Sequence, residues 1–161
     1  MRIKGMAIPP FDPRGNQGLG VGFALNPTGP RYDVLEHDID FDSDHPWMER
    51  EGIGREFGIP QGGLKLGTLG QNRHKSLELL WLAWSGLDAL GVCEYAAPPT
   101  RELTLQGVAE LVRDVTGENF RDTEIYDQGL IRLAFLRQCN AVLGLDASKD
   151  ALPAHFHASP I

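Results

Sequence analysis

Three apolar runs with helical spacing, each closed by a glycine, constrain this chain more than any other feature. In the first, Leu77, Leu80, Trp81, Trp84, Leu87 and Leu90 recur at intervals of three and four, which gathers side chains on one face of an α-helix. The spacing predicts a helix over about 73–90 ending at Gly91, where glycine takes the left-handed turn that other residues resist. The second run, from Leu105 to Thr116, has Thr104 placed to cap its start and Gly117 to stop it. The third begins after Asp122 or Thr123 and carries Ile125, Leu130, Leu133, Ala134 and Leu136 on its expected inward face. It extends toward Val142 and stops at Gly144. No strand pattern of matched length and no internal repeat appears. The fold class is therefore mainly α, with a bundle of about three longer helices.

Residues 1–70 read differently. Most of the 19 glycines and 11 prolines lie there, so the region is irregular, with short ordered pieces at most. Pro9, Pro10 and Pro13 force an extended path. Gly18 to Leu25 forms one short helix, ended by Asn26-Pro27. Gly18 and Gly22, four apart on one face, would let another backbone approach closely. An acidic stretch from Asp33 to Glu51 and a Gly/Pro-rich segment to Gly70 follow. The chain thus divides into a loop-rich segment, 1–70, and a helical lobe, 71–161.

Bulk properties exclude several classes. A chain of 161 residues suits one domain, or two small lobes sharing a core. Its net charge of −7 argues against nucleic acid, which demands a surplus of Lys and Arg on one face. The longest apolar stretch, Leu79 to Trp84, is far short of a bilayer span. Arg2, Ile3, Lys4 and Gly5 follow Met1 with no apolar signal core. Cytoplasmic residence without membrane attachment is the expectation. Two cysteines, Cys93 and Cys139, are too few for a disulfide scaffold and read as reduced thiols.

Several chemical patterns compete with plainer readings. Gly15, Gly18, Gly20 and Gly22 invite a nucleotide site, yet Pro13 spoils the buried strand that a dinucleotide fingerprint requires. Asp40, Asp42, Asp44 and Glu51 match positions one, three, five and twelve of a calcium loop. His45 stands where the sharp turn calls for glycine, and a solvated acidic loop explains the run better. His37 and His45 add transition-metal ligands to the same stretch. Cys139 sits in an apolar helix, where thiols fill cores. His155 and His157 lie in a Pro-flanked tail, where mobile surface is the expectation. The remaining candidate, Asp88-Ala-Leu-Gly-Val-Cys93, reads by spacing alone as a helix terminus followed by a buried cysteine.

Its neighbourhood carries a resemblance. Lys4-Gly-Met-Ala-Ile-Pro-Pro-Phe-Asp-Pro-Arg-Gly15, continued by Gly18 to Asn26, resembles a conserved segment of the tungsten- or molybdenum-pterin aldehyde:ferredoxin oxidoreductase family. Asp88 to Cys93 resembles that family's D-x-x-G-L-C motif, and Leu103 through Gly117, Asn140 and Leu152-Pro153 are similar to its final helices. The resemblance implies a C-terminal portion of an enzyme that oxidises aldehydes to carboxylic acids. A W- or Mo-bis-pterin and a [4Fe–4S] cluster would pass electrons to a ferredoxin-like carrier. By the same resemblance Asp88 accepts hydrogen bonds from a pterin's N–H edge, a geometry suited to a carboxylate. Gly91 and Val92 let backbone approach the pterin, and Cys93 is one cluster thiolate.

The departures from the family are also specific. Its other three cluster cysteines come from a Cys-x-x-Cys-x-x-x-Cys segment that is absent here, as are the N-terminal lobe and a second aspartate motif. Where many relatives place a histidine near the metal, this chain has Tyr32. A phenol donates a hydrogen bond well but is a poor base near neutral pH; His37, five residues on, is the alternative. Two functions follow. One is the C-terminal lobe of an aldehyde oxidoreductase, needing a polypeptide that supplies the N-terminal lobe and three cysteines. The other is a catalytically silent binding or assembly module that kept only the helices. The first expects a cofactor side bearing a partly uncovered Trp81 or Trp84.

Overall fold

The computed structural model describes residues 1–32, 35, 41, 57, 59, 73–93, 95, 96 and 103–158. Among them the order is β1 (Arg2–Ile3), β2 (Met6–Ala7), α1 (Gln17–Leu25), α2 (Arg73–Ala89), α3 (Leu105–Thr116) and α4 (Thr123–Val142). A 3-10 turn at Ala147–Lys149 and α5 (His155–Ala158) complete it. The fold is mainly α, as the periodicity requires.

Helix limits follow from local chemistry. Thr104 accepts a hydrogen bond from Gly107 N at 3.1 Å and starts α3, while Asn16 does the same for Leu19 N at 3.2 Å and starts α1. At the end of α2, Gly91 takes φ 73°; its N–H donates to Asp88 O at 3.2 Å and Val92 N–H to Leu87 O at 2.9 Å. That pair of bonds satisfies carbonyls the helix would otherwise leave open. Gly144 ends α4 in the same way, with φ 78°; its N–H donates to Ala141 O at 3.1 Å and Leu145 N–H to Asn140 O at 2.8 Å.

The irregular N-terminal region contains a hairpin too short to leave a periodic signal. Arg2 pairs with Ala7 and Ile3 with Met6, antiparallel. Lys4 and Gly5 turn the chain with φ 50° and 81°, the left-handed backbone that favoured two-residue hairpins need.

Two cores result. Leu80, Ala83 and Leu87 of α2 join Leu105 and Val108 of α3, Ile125 of α4, and Phe41, Phe57 and Ile59. Ile3, Leu19, Phe23 and Leu35 form the other, flanked by Ile8, Trp81 and Leu152. Each core therefore draws on residues from both sides of residue 70. Trp81 leans on the second and Trp84 on the first. Both are half-buried, but the two indoles serve different cores instead of one common side.

Helices α2 and α4 meet backbone to backbone. A Cβ on Gly86 would lie 2.0 Å from Ile125 O, and one on Gly129 would lie 1.9 Å from Leu82 O. Ser85 Oγ donates across the crossing to Gly129 O at 3.1 Å. This changes the expected inward face of α4. Leu130 and Ala134 are exposed, Leu133 and Leu136 are half-buried, and Ile125 and Gly129 are the buried pair. Nothing larger than glycine fits where the helices touch. Gly22 of α1 differs from expectation too: the group crowding it is the Leu35 side chain, 2.3 Å from a would-be Cβ, not another backbone.

Helix α1 ends without a glycine turn, and distant side chains take up carbonyls at its end and just beyond it. Lys4 Nζ donates to Ala24 O, Arg137 Nη2 to Leu25 O, and Asn140 Nδ2 to Pro27 O at 2.8 Å. The Asp150 carboxylate lies between the two cations, 2.6 Å from Lys4 Nζ and 2.5 Å from Arg137 Nη1. Its Oδ1 meets the ammonium without hydrogen-bond alignment, so that contact is an ion pair only. The Lys4 side chain is 3% exposed.

Candidate functional site

The Asp88–Cys93 segment is built by the end of α2. Asp88 lies in the last turn of the helix, Gly91 reverses the chain, and Cys93 emerges two residues later, its carbonyl accepting Ala96 N–H at 2.9 Å. Asp88, Gly91 and Cys93 are exposed and Val92 is half-buried against the first core. The expectation of a buried cysteine after the helix is thus corrected: the thiol faces solvent because the glycine turn carries the chain off the core. A Cβ on Gly91 would touch nothing within 4 Å. Within this chain, then, Gly91 is required by its backbone angle and not by lack of space.

Asp88 has a partner that spacing did not suggest. Arg132 of α4 binds its Oδ2 through Nη2, and Arg132 Nη1 lies 3.5 Å from Ser85 Oγ. The signal was present but weak: Ser85-Gly86 on α2 and Gly129 with Arg132 on α4 interrupt otherwise apolar faces. Small residues at a helix crossing and one cation beside them mark a contact between two particular helices.

The other site residues lie elsewhere. Tyr32 stacks on Phe11, ring centroids 4.9 Å apart and tilted by 45°. It follows a turn in which Asn26 Oδ1 accepts hydrogen bonds from Thr28 N and Oγ1, while Gly29 takes φ 89°. Asn26 is buried, and its Nδ2 has no hydrogen-bond partner among the described residues. His37 lies outside the described residues, as do His45 and the acidic positions Asp40, Asp42, Asp44 and Glu51 of the calcium-loop match. Cys139 is half-buried in α4. Among the described residues no three His, Cys, Asp or Glu side chains cluster to hold a metal ion, and no helix is long and apolar enough to cross a membrane.

A separate hollow of about 820 Å³ opens between α1 and the C-terminal segment, with Arg14, Gln17, Val21, Asp150, Phe156 and His157 on its wall. The His155–His157 stretch, expected as mobile surface, is the short helix α5. The Arg14 guanidinium lies 5.9 Å from the Phe156 ring centroid and grips Asp12, Nη2 to Oδ2 at 2.6 Å. Hydrogen bonds from the Arg14 side chain, then its backbone N–H, hold the Asp12 carboxyl down at about 2 and raise Arg14 in return. Of the residues expected from sequence to form the cofactor site, Tyr32, Asp88, Gly91, Val92 and Cys93 do not line this hollow.

One comparison with known proteins gives a match. A family model described as "Aldehyde ferredoxin oxidoreductase, domains 2 & 3" matches residues 1–161. No curated protein and no solved structure matches the chain.

Proposed function

The chain belongs to the aldehyde ferredoxin oxidoreductase family, and from that premise we propose that it supplies one wall of a pterin and iron–sulfur site. Membership in this family suggests W- or Mo-pterin and iron–sulfur cofactors in general. The finer reading is a C-terminal lobe whose site is completed by a polypeptide carrying the N-terminal lobe and three cluster cysteines.

The observation that carries the reading is the turn from Asp88 to Cys93, inside a family match spanning all 161 residues. Its donor set can be tested against the implied groups. Asp88 Oδ1 has no partner among the described residues, so the carboxylate retains acceptor capacity for an N–H edge. Cys93 offers one exposed thiol, a quarter of what a [4Fe–4S] cluster needs. Cys139 is committed to α4. These residues fit one edge of a pterin and one corner of a cluster.

When bound, such cofactors accept two electrons as an aldehyde and water become a carboxylic acid, and release them singly to a ferredoxin-like carrier. This chain's own contributions are narrower. Asp88 would fix the pterin's orientation through parallel charge-assisted hydrogen bonds. Gly91 and Val92 would bring backbone up to it, and Cys93 would bind iron. Tyr32 would donate a hydrogen bond toward the reacting oxygen; His37 is the alternative group for moving the proton.

Metal and iron analysis of the chain purified from its native host, with whatever accompanies it, tests this directly. Tungsten or molybdenum and about four irons per complex are expected. Cys93→Ser should abolish the cluster's absorption. A colourless complex, even with an N-terminal-lobe polypeptide bound, would leave the silent-module reading standing.

A further inference from the structure

We propose that Arg132 is a positioning residue for the cofactor-facing carboxylate of Asp88; the inference rests on the reading just given. It starts from a misfit. Asp88 occupies the last turn of α2, where the helix's open carbonyls make negative charge unfavourable. A cation belongs there, and the helix gains nothing from an aspartate.

The compensating cation comes from the neighbouring helix. Because α2 and α4 touch at Gly86 and Gly129, Arg132, one turn beyond Gly129, reaches the end of α2. Its guanidinium spans two groups, Nη1 toward Ser85 Oγ and Nη2 onto Asp88 Oδ2. Ser85 gives its own proton to Gly129 O, so its oxygen faces Arg132 as an acceptor. The planar fork is thereby held at one end and holds the carboxylate at the other.

A purely stabilising role accounts poorly for this arrangement. Asp88 is 39% exposed and Arg132 26%, and ion pairs so open to solvent contribute little. What the pair does achieve is directional. With Oδ2 held, the carboxylate has one orientation, and Oδ1 remains available. An ionised carboxylate has about four acceptor positions, so Arg132 and two parallel N–H donors can be accommodated together. Arg132 would remain in place as the cofactor binds, and its fork would set the plane in which the pterin's edge is read.

The test measures pterin retained by the native complex after extended dialysis, read as fluorescence of the released, oxidised pterin. Arg132→Met should retain about three- to tenfold less than the unsubstituted complex, with unchanged helix content. Arg132→Lys keeps the charge but loses the fork and should fall between them, about two- to threefold down. Combining Arg132→Met with Asp88→Ala should lose no more than Asp88→Ala alone, since the arginine acts only through the aspartate. Full retention by Arg132→Met, beside loss in Asp88→Ala, would overturn the inference and leave the parent reading intact. Full retention by Asp88→Ala would instead remove the parent reading. If Arg132→Met does not fold, Arg132→Lys decides: retention equal to the unsubstituted complex counts against the proposal.

Discussion

Helices α1 and α2 end in opposite ways. The end of α2 is self-contained: Gly91 turns left-handed and the chain's own N–H groups close the open carbonyls. The end of α1 is borrowed, its carbonyls taken by Lys4, 20 residues away, and Arg137, 112 residues away. Asp150 pairs with both cations. A glycine-terminated helix is a local object. A helix closed by distant charges exists only when the whole chain has come together, and it ties the N-terminal hairpin, α4 and the C-terminal segment into one unit.

The same opposition separates the two ways α4 is held. Toward α2 it touches neutral backbone through glycine; toward α1 it reaches with Arg137 and Asn140. The glycine contact tolerates least. Gly129→Ala would drive a Cβ to within 1.9 Å of the Leu82 carbonyl, and backbone yields little. We expect a loss of about 3 kcal/mol or more, at the upper end for overpacking. Gly86→Ala should match it without adding fully, since each added methyl forces the same helix crossing apart. Chemical denaturation of the two single variants and the double checks this; a near-neutral Gly129→Ala would mean the helices do not touch.

The charged clasp should break differently. Asp150→Ala leaves Lys4, 3% exposed, facing Arg137 with no anion between them. About 2–3 kcal/mol is expected, somewhat below the usual cost of orphaning a fully buried charge because Arg137 can turn to water. Hydrogen exchange gives the sharper contrast. Protection should fall in α1 and the 147–158 segment while α2 stays protected; uniform loss would show one cooperative unit where the ends of α1 and α2 suggest two.

Local closure is worth less again. Thr104→Ala removes the single side-chain cap on the first turn of α3 and should cost about 1 kcal/mol. Thermal unfolding measures it, and a loss as large as that at Gly129 would deny the ranking of long-range contact over local signal.

That ranking also explains what the sequence made legible. Gly91, Gly117 and Gly144 announce helix ends because each follows a periodic run, and Thr104 and Asp122 announce starts by residue type and place. Gly86 and Gly129 have the same composition but sit mid-helix. Their meaning is a contact between residues 43 apart in the chain, which no periodicity encodes, so Leu130 looked like the inward residue. Lys4, Arg137 and Asp150 lie far apart in the chain, and no spacing links them. The motif from Asp88 to Cys93 was visible as a pattern; its arginine partner was not, because that pairing depends on how two helices cross. His37 and the acidic run fall outside the described residues.

The smallest expected effect lies at the rim of the hollow, where a charge pair is wholly local. Asp12 and Arg14 are two residues apart and bonded through both side chain and backbone, and His155 adds a minor favourable charge to Asp12. The Asp12 carboxyl is held at about 2 in the folded protein, against 3.8 for an ordinary aspartate. A depressed folded value means that its contribution is complete above the ordinary carboxylate range and is lost as pH falls through about 2. The pair is open to solvent, so salt should weaken it. Carbon-detected titration of the Asp12 carboxyl should place its midpoint near 2, and Arg14→Met should return it toward the ordinary value. An unchanged midpoint in Arg14→Met would assign the shift to the surrounding charges. It would also make this end of α1, like the other, dependent on groups far along the chain.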